Sequence, residues 1–384
     1  MTPQPAITPG ATLGVLGGGQ LGRMFVHAAQ RLGYRCLVLD PDDDSPAGRV
    51  AEGHLRAGYL DGDALDTIAR EAVAVTTEFE NVPAQALRQL AGRVRVAPAA
   101  QAVATCQDRA LEKALFSRCG VPCAPHAVVD SETALAAVPD ELLPGILKTA
   151  QLGYDGKGQR SVNDRTQLAA AWRELGAARC VLEQRLDLAF EISVVLARGS
   201  DESVVSFAPF RNQHRDGILA VTHWPAPQVD AALASAADAA ARTIAGALDY
   251  SGVLCVEFFV DRQGTLYANE VAPRPHNSGH CTIDAGDVSQ FEYQVRTLAG
   301  LPLPAPRAHS HAVMLNLLGD LWRDGFAPDW RGVLALPGAH LHLYGKTQAR
   351  RGRKMGHLTL TADSASAADA LARQAAQQLA LPAW

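Results

Sequence analysis

An apolar run, Ala11–Leu16, ends directly in Gly17-Gly-Gly19-Gln20-Leu21-Gly22, and this junction restricts the fold more than any other feature of the chain. Glycines at that spacing turn a strand sharply into a helix beginning near Gln20, and they let backbone N–H groups approach one another or an anion. Asp40 closes the next apolar run, Arg35–Leu39, and further runs follow at 73–77 and 94–97 with amphipathic stretches between them. This rhythm predicts βαβ units and a parallel sheet. The G-x-G-x-x-G pattern with an acid after the second strand is the dinucleotide fingerprint, in which a pyrophosphate sits at the helix N-terminus. It is equally the pattern of a tight turn with no ligand, and it does not identify one.

From about Asp108 the pattern changes. A helix ends near Gly120-Val121-Pro122, and strand-like runs follow at 146–149, 181–184, 192–197, 203–208 and 253–260, several close enough for antiparallel pairing. Helices are expected at 165–175 and 230–248. A proline-rich stretch, Leu301-Pro-Leu-Pro-Ala-Pro-Arg307, precedes strand-like runs at 312–318, 340–344 and 356–360 and a closing helix at 364–379. The expected division is a disordered tail at 1–10 and units at 11–108, 109–303 and 304–384.

Composition narrows the function classes. A net charge of −5 removes the bulk electrostatic case for a nucleic-acid partner, and no run approaches the ~18 apolar residues of a membrane span. Seven scattered cysteines suit a reducing compartment, and Cys119 and Cys123 lack the companions of a zinc site. The proline-rich start carries no secretory pattern, so a cytoplasmic enzyme is expected. Only five of the 35 basic residues are lysines: Lys113, Lys148, Lys157, Lys346 and Lys354. A lysine kept in such a chain marks a position to inspect.

Two of the five fall beside a glycine loop. Lys148 ends an apolar run, and Gly153-Tyr154-Asp155-Gly156-Lys157-Gly158-Gln159 follows, a segment whose amides and ammonium group suit a polyphosphate, without the Walker spacing. A carboxylate pair, Glu257 and Glu270, lies in strands joined by Asp261-Arg-Gln-Gly264. If Asp261 pairs with Gly264, Glu257 faces Ala268 and Glu270 faces Cys255, so both glutamates share one sheet face as diagonal neighbours. Such a pair within apolar strands needs a cation between its members, and hard oxygens suit Mg²⁺ bridged to phosphate, with Asn269 nearby. Weaker signals are the strand end Glu183-Gln184-Arg185-Leu186 with Glu191, the polar loop Arg274-Pro-His276-Asn277-Ser278-Gly-His280, and the basic turn Arg351-Gly-Arg353-Lys354. That turn suits one phosphate monoester.

Taken together, the phrases at 17–24, 78–82, 153–159, 269–280 and 352–357 closely resemble the N5-carboxyaminoimidazole ribonucleotide synthases, a PurK-type branch of the ATP-grasp superfamily. The resemblance covers nearly the whole chain. It implies an α/β and α+β molecule: an ATP-grasp fold with a Rossmann-like pre-ATP-grasp domain and a small C-terminal β-rich hybrid-motif domain. The implied reaction joins bicarbonate to 5-aminoimidazole ribonucleotide (AIR) at the expense of ATP, with Mg²⁺, in a homodimer. By resemblance, Arg109 and Lys148 contact ATP phosphates, 153–159 close over them, and Glu183, Gln184, Arg185 and Leu186 hold adenine. Glu191 binds ribose, His214 lies near the nucleotide, and Glu257 and Glu270 ligate Mg²⁺ beside Asn269. AIR contacts fall on Gln20, Glu80, Tyr154, Arg274, His276, Asn277, Ser278, Arg351 and Lys354, and Arg274, Lys148 and Glu270 serve the reacting groups. Lys113 receives no role. Leu152, where some relatives carry a glycine, is expected to stiffen the loop. The rival readings are another ATP-grasp ligase, of the formate-dependent transformylase or biotin carboxylase type, an NAD-binding oxidoreductase, and a non-catalytic nucleotide sensor.

Overall fold

Three sheets organise the chain in the computed structural model, which describes residues 5–153, 158–322 and 328–384. The first is parallel and ordered Gly53–Leu55, Arg35–Leu39, Thr12–Leu16, Ala74–Thr77, Arg95–Val96. Leu16 therefore has Leu39 on one side and Thr77 on the other. The connections leave Thr12–Leu16 in opposite directions, which opens a crevice at its C-terminal end, where the glycine turn lies.

That turn is filled by the protein itself. The Gly18 amide donates to Asp40 Oδ2 at 2.7 Å, and Glu78 accepts from the amides of Gly19 and Gly22 at 3.0 and 2.9 Å. Tyr59 donates its hydroxyl to the same Asp40 oxygen at 2.7 Å. The donors that a pyrophosphate would require are thus committed to two carboxylates, and the dinucleotide reading loses its basis. The glycines are needed for closeness: a Cβ on Gly17, where φ is 105°, would meet Glu78 Cγ at 2.3 Å, and one on Gly18 would meet Ser45 Oγ at 2.1 Å.

A four-stranded antiparallel sheet, ordered His126–Val129, Cys180–Gln184, Gly145–Thr149, Gln159–Val162, carries Lys148 and Glu183. The third sheet runs Leu266–Ala272, Gly252–Asp261, Leu188–Arg198, Phe210–Arg215, Ile218–Trp224, His311–Leu318, Lys354–Ala362, Ala339–Leu343, with Val204–Ser206 also on Leu188–Arg198. The strands of the expected C-terminal unit continue this sheet, through pairs such as Val221 with Leu315. Helix Gln290–Ala299 ties the sheets together. Val295, Leu298 and Ala299 pack with Leu13 and Val15 of the first sheet, while Tyr293 meets Phe207 edge-on in the core of the third.

The carboxylate hairpin departs from the expected register. Asp261 pairs with Thr265, the Asp261 carboxylate accepts from the amides of Gln263 and Thr265, and Gly264 takes a φ of 82°. The loop is one residue longer than expected, and a bulge beside Glu257 shifts the ladder by one more, so Glu257 faces Glu270 directly. One shift alone would send Glu270 to the other face, and the second returns it. Among the described residues no helix is long and apolar enough to cross a membrane, and the seven cysteines are free.

Because the turn has no room for a side chain, Gly18→Ala is expected to destabilise the fold by about 1–3 kcal/mol, the usual cost of overpacking. A urea midpoint equal to wild type would show that the carboxylate cradle is not tight.

Candidate active site

A cavity of about 920 Å³ opens where the three sheets meet. Its geometry begins with helix Arg109–Arg118. Asp108 caps this helix by accepting from the amides of Ala110 and Leu111, which fixes its first turn. Arg109, Glu112 and Lys113 stand at i, i+3 and i+4 and so share one face. That face grips three consecutive residues of the strand Leu266–Ala272. Arg109 pairs with Glu270 Oε2 at 3.1 Å, Lys113 donates to the Asn269 carbonyl at 3.0 Å, and Glu112 accepts from the Val271 amide at 2.6 Å.

Lys113 also reaches Glu183 Oε1 at 3.1 Å, while Lys148 donates to Glu183 Oε2 at 2.8 Å. All three are buried. Burial works against the Glu183 carboxylate, but Lys148 and then Lys113 outweigh it and hold Glu183 down at about 2. Burial also pulls Lys148 below the ordinary lysine value, against the attraction of Glu183. Lys113, without an expected role, is therefore the hub between the strand bearing Glu270 and the sheet bearing Lys148. Its signal was present: two further charges on one helical face, in a chain with five lysines.

Each glutamate of the expected metal pair has a cationic side chain beside it, which is what makes its burial tolerable. Arg109 stands by Glu270, and His276 Nε2 lies 2.7 Å from Glu257 Oε1. Against burial, His276 holds Glu257 down at about 2. Burial likewise opposes charge on His276, yet Cys255 and Glu257 keep the ring up at about 10. Behind the ring a buried chain continues from His276 Nδ1 to Ser278 Oγ at 2.9 Å and on to Ser193 Oγ at 2.8 Å. Elsewhere on the wall His214 Nδ1 lies 2.7 Å from Glu191, and Arg274 is paired with Glu80. Burial raises Glu80, and Arg274 overrides it to leave the carboxyl at about 2.

The cavity brings together Gln20, Glu80, Arg109, Lys148, Gly153, Gly158, Gln159, Glu191, His214, Glu257, Asn269, Glu270, Arg274, His276, Asn277, Arg351 and Lys354. Ser278 is buried behind its wall. Glu183 faces the two lysines, and the amides of Gln184 and Arg185 donate to the carbonyls of Pro125 and Pro144, with Leu186 following; none of these four lines the cavity. Tyr154, Asp155, Gly156 and Lys157 lie outside the described residues. Leu152, just before them, is exposed with a φ of 61°, a left-handed conformation that explains why glycine suits that position. The lining also includes Glu78, Asn81, His280, Lys346, Arg350 and Arg353; His280 and Arg353 were legible in the polar loop and the basic turn, Lys346 as a retained lysine, and Glu78 and Asn81 in the phrase at 78–82, whereas Arg350 was not singled out. Three of these extend the basic turn, where Lys346 donates to the Lys354 carbonyl at 2.7 Å.

Comparisons with known proteins agree with this layout. Family models match residues 10–107 as a ribonucleotide synthetase preATP-grasp domain, 114–291 as an ATP-grasp domain and 312–371 as a phosphoribosylaminoimidazole carboxylase C-terminal domain. The N5-carboxyaminoimidazole ribonucleotide synthase of Brucella melitensis is 44% identical over 357 residues, covering 92% of this chain and 97% of that relative. The solved N5-carboxyaminoimidazole synthetase of Staphylococcus aureus complexed with ADP superposes with a TM-score of 0.90 at 35% identity, covering 97% and 98% of the two chains. The Aspergillus clavatus enzyme, in complex with ADP and 5-aminoimidazole ribonucleotide, gives 0.88 at 32% identity over 96% and 98%.

Glu183→Gln leaves two buried ammonium groups without their counter-charge and should cost about 3–5 kcal/mol in urea unfolding. The sign with pH follows from the depressed carboxyl. Its contribution is present above the ordinary value of 4.5 and is lost as pH falls towards 2. The acid limb of the wild-type stability profile should therefore flatten in the variant, and an unchanged limb would mean that Glu183 is not the charge holding the lysines.

Proposed function

The chain belongs to the N5-carboxyaminoimidazole ribonucleotide synthase family of ATP-grasp ligases, and from that premise we propose that it carboxylates 5-aminoimidazole ribonucleotide with bicarbonate and ATP, releasing ADP and phosphate. One observation carries the reading. A single cavity joins a carboxylate pair flanked by Arg109 and Lys148 to a basic turn containing Arg351 and Lys354. A triphosphate suits the first region and a phosphate monoester the second.

Glu257 and Glu270, directly opposed, offer hard oxygen ligands, and the Asn269 side-chain oxygen beside them is buried with no hydrogen-bond partner. This donor set fits Mg²⁺, which when bound supplies charge neutralisation for phosphoryl transfer. Arg109 and Lys148 orient the phosphates and offset charge on the transferring group. A bicarbonate oxygen attacks the γ-phosphorus as the bond to ADP breaks, giving carboxyphosphate. The exocyclic amine of AIR then bonds to the carboxyl carbon, phosphate leaves, and the amine loses a proton. Carboxyphosphate is short-lived in water, so the wall that carries Arg274 and His276 has to hold it against the amine while excluding solvent. No covalent enzyme intermediate is required. The segment 153–159 is the proposed cover, and Glu183 to Leu186 with Glu191 and His214 are the proposed surroundings of adenine and ribose. Gln20, Glu80, Asn277 and Ser278 complete the proposed AIR side. A homodimer working in the cytoplasm is part of the proposal and is supported by the family resemblance.

Phosphate release from ATP, measured with AIR and bicarbonate omitted in turn, should fall to background in both omissions. Release that persists without AIR would redirect the reading to another acceptor. Glu270→Ala should lower turnover at least about a hundredfold, the scale of losing one group that stabilises transition-state charge, with the fold retained by circular dichroism. Lys354→Ala should raise the KM for AIR far more than that for ATP, and an unchanged AIR dependence would move the monophosphate away from the basic turn.

A further inference from the structure

On the far side of the wall bearing His280, three ligand-type side chains converge from separate segments. Asp284 lies on the short helix Thr282–Ala285, His342 on the strand Ala339–Leu343 and His357 on Lys354–Ala362, with one ligand atom of each within 4.8 Å of the others. His342 and His357 are cross-strand partners whose rings stack at 4.5 Å and 12°. His342 Nε2 stands 3.1 and 2.9 Å from the two Asp284 oxygens. An ordinary ion pair accounts for those two residues but leaves the third unexplained. His357 is fully buried, its Nδ1 is 2.9 Å from the Tyr344 hydroxyl, and its Nε2 has no hydrogen-bond partner. A buried ring nitrogen left unanswered by the protein is costly, and it marks a place for something else to bind.

We propose that Asp284, His342 and His357 form a binding site for a zinc-class divalent ion, separate from the carboxylate pair in the cavity. Two imidazoles and one carboxylate select Zn²⁺ or its neighbours over Mg²⁺ and Ca²⁺, which take oxygen ligands. Bonds of ~2.0–2.1 Å in a tetrahedral site separate ligand atoms by about 3.3 Å, close to the spacing between His342 and Asp284. Near-parallel stacked rings point their in-plane lone pairs side by side, so His357 has to turn out of its stack on His342 to share the ion. With Nδ1–H donating to Tyr344, its Nε2 lone pair is left for the ion, the arrangement in which an outer partner fixes the tautomer of a metal-binding histidine. His342 is 29% exposed, and His340, 41% exposed and 3.8 Å from Asp284, stands beside the remaining coordination position. Bound there, the ion would tie Thr282–Ala285 to two strands of the large sheet. His357 is three residues from Lys354 and its ring lies 4.9 Å from that of His280, so the same link braces the basic end of the cavity.

The test uses the full chain, stripped with a chelator and held in excess Mg²⁺, with Zn²⁺ titrated against a chromophoric competitor. One ion per chain is expected, with affinity at least about tenfold weaker in His342→Ala and in Asp284→Asn. Neither residue lines the cavity, so ATP turnover should persist in both variants. Zn²⁺ should raise the thermal midpoint of wild type and not of the variants. Absence of a tight ion in wild type, or an affinity unchanged from wild type in both variants, overturns the site. Should either variant fail to fold, Co²⁺ absorption by wild type decides: tetrahedral bands without thiolate charge transfer support the site, and a thiolate band assigns the ion to cysteine and overturns it.

Discussion

One helical face holds the chemistry of this molecule in register. Arg109, Glu112 and Lys113 meet the side chain of Glu270, the amide of Val271 and the carbonyl of Asn269. They fix three consecutive residues on a strand whose bulge would otherwise leave its register soft. Through Lys113 the same helix reaches Glu183, and through Glu183 it reaches Lys148 on a different sheet. Buried charges seldom add net stability, because desolvation consumes the Coulomb gain. What this network supplies is position: two sheets that share no hydrogen-bonded ladder place Lys148 and Glu270 in one cavity. Glu112 shows the local cost. Burial lifts its carboxyl to about 8, with Glu270 adding to the effect against Lys113 and Arg109.

The glycine turn illustrates how one motif serves two opposite purposes. In a dinucleotide site the freed amides wait for phosphate, and here Asp40 and Glu78 take them. Occupying the turn with carboxylates gives it the wrong sign for an anion, yet it brings Glu78 to the cavity beside Gln20 and Glu80. The spacing of the glycines reports only the need for close approach. What approaches depends on the residue at the end of the fourth strand of the chain, some sixty positions away, which no local pattern contains.

Legibility in the sequence followed the same division. Strands with continuous apolar runs, such as Thr12–Leu16 and Gly252–Asp261, were readable because burial on both faces leaves no alternative. Phe210–Arg215 and Ile218–Trp224 were missed: the first is mostly polar, and the Asp216-Gly217 turn that joins them, with both residues at positive φ, was the signal to use. Helix Gln290–Ala299 was hidden because its polar side chains are buried too. Gln290 bonds to His276 and Gln294 to Thr76 and Thr77, so a helix that looks surface-like is a wedge between domains. Among the candidate site residues, those placed on the cavity wall were legible as side-chain types. Their pairings were not, because His276 with Glu257 and Arg274 with Glu80 are set by elements distant in sequence.

Those pairings also explain the sparing use of positive charge. Arg109, His276 and Arg274 each stand against a carboxylate of the cavity, so the protein balances its own charges there. Under the proposed function a triphosphate brings several negative charges into a region already containing Glu257 and Glu270, and Arg109 and Lys148 alone do not offset both. Either the carboxylates repel the nucleotide or a divalent cation joins them to it. Under the proposed function the opposed glutamates would make phosphate binding conditional on a divalent cation, a form of specificity that a cavity lined only with lysine and arginine would lack. At the other end, Lys346, Arg350, Arg353 and Lys354 gather on the cavity wall, which under the proposed function suits a single phosphate monoester.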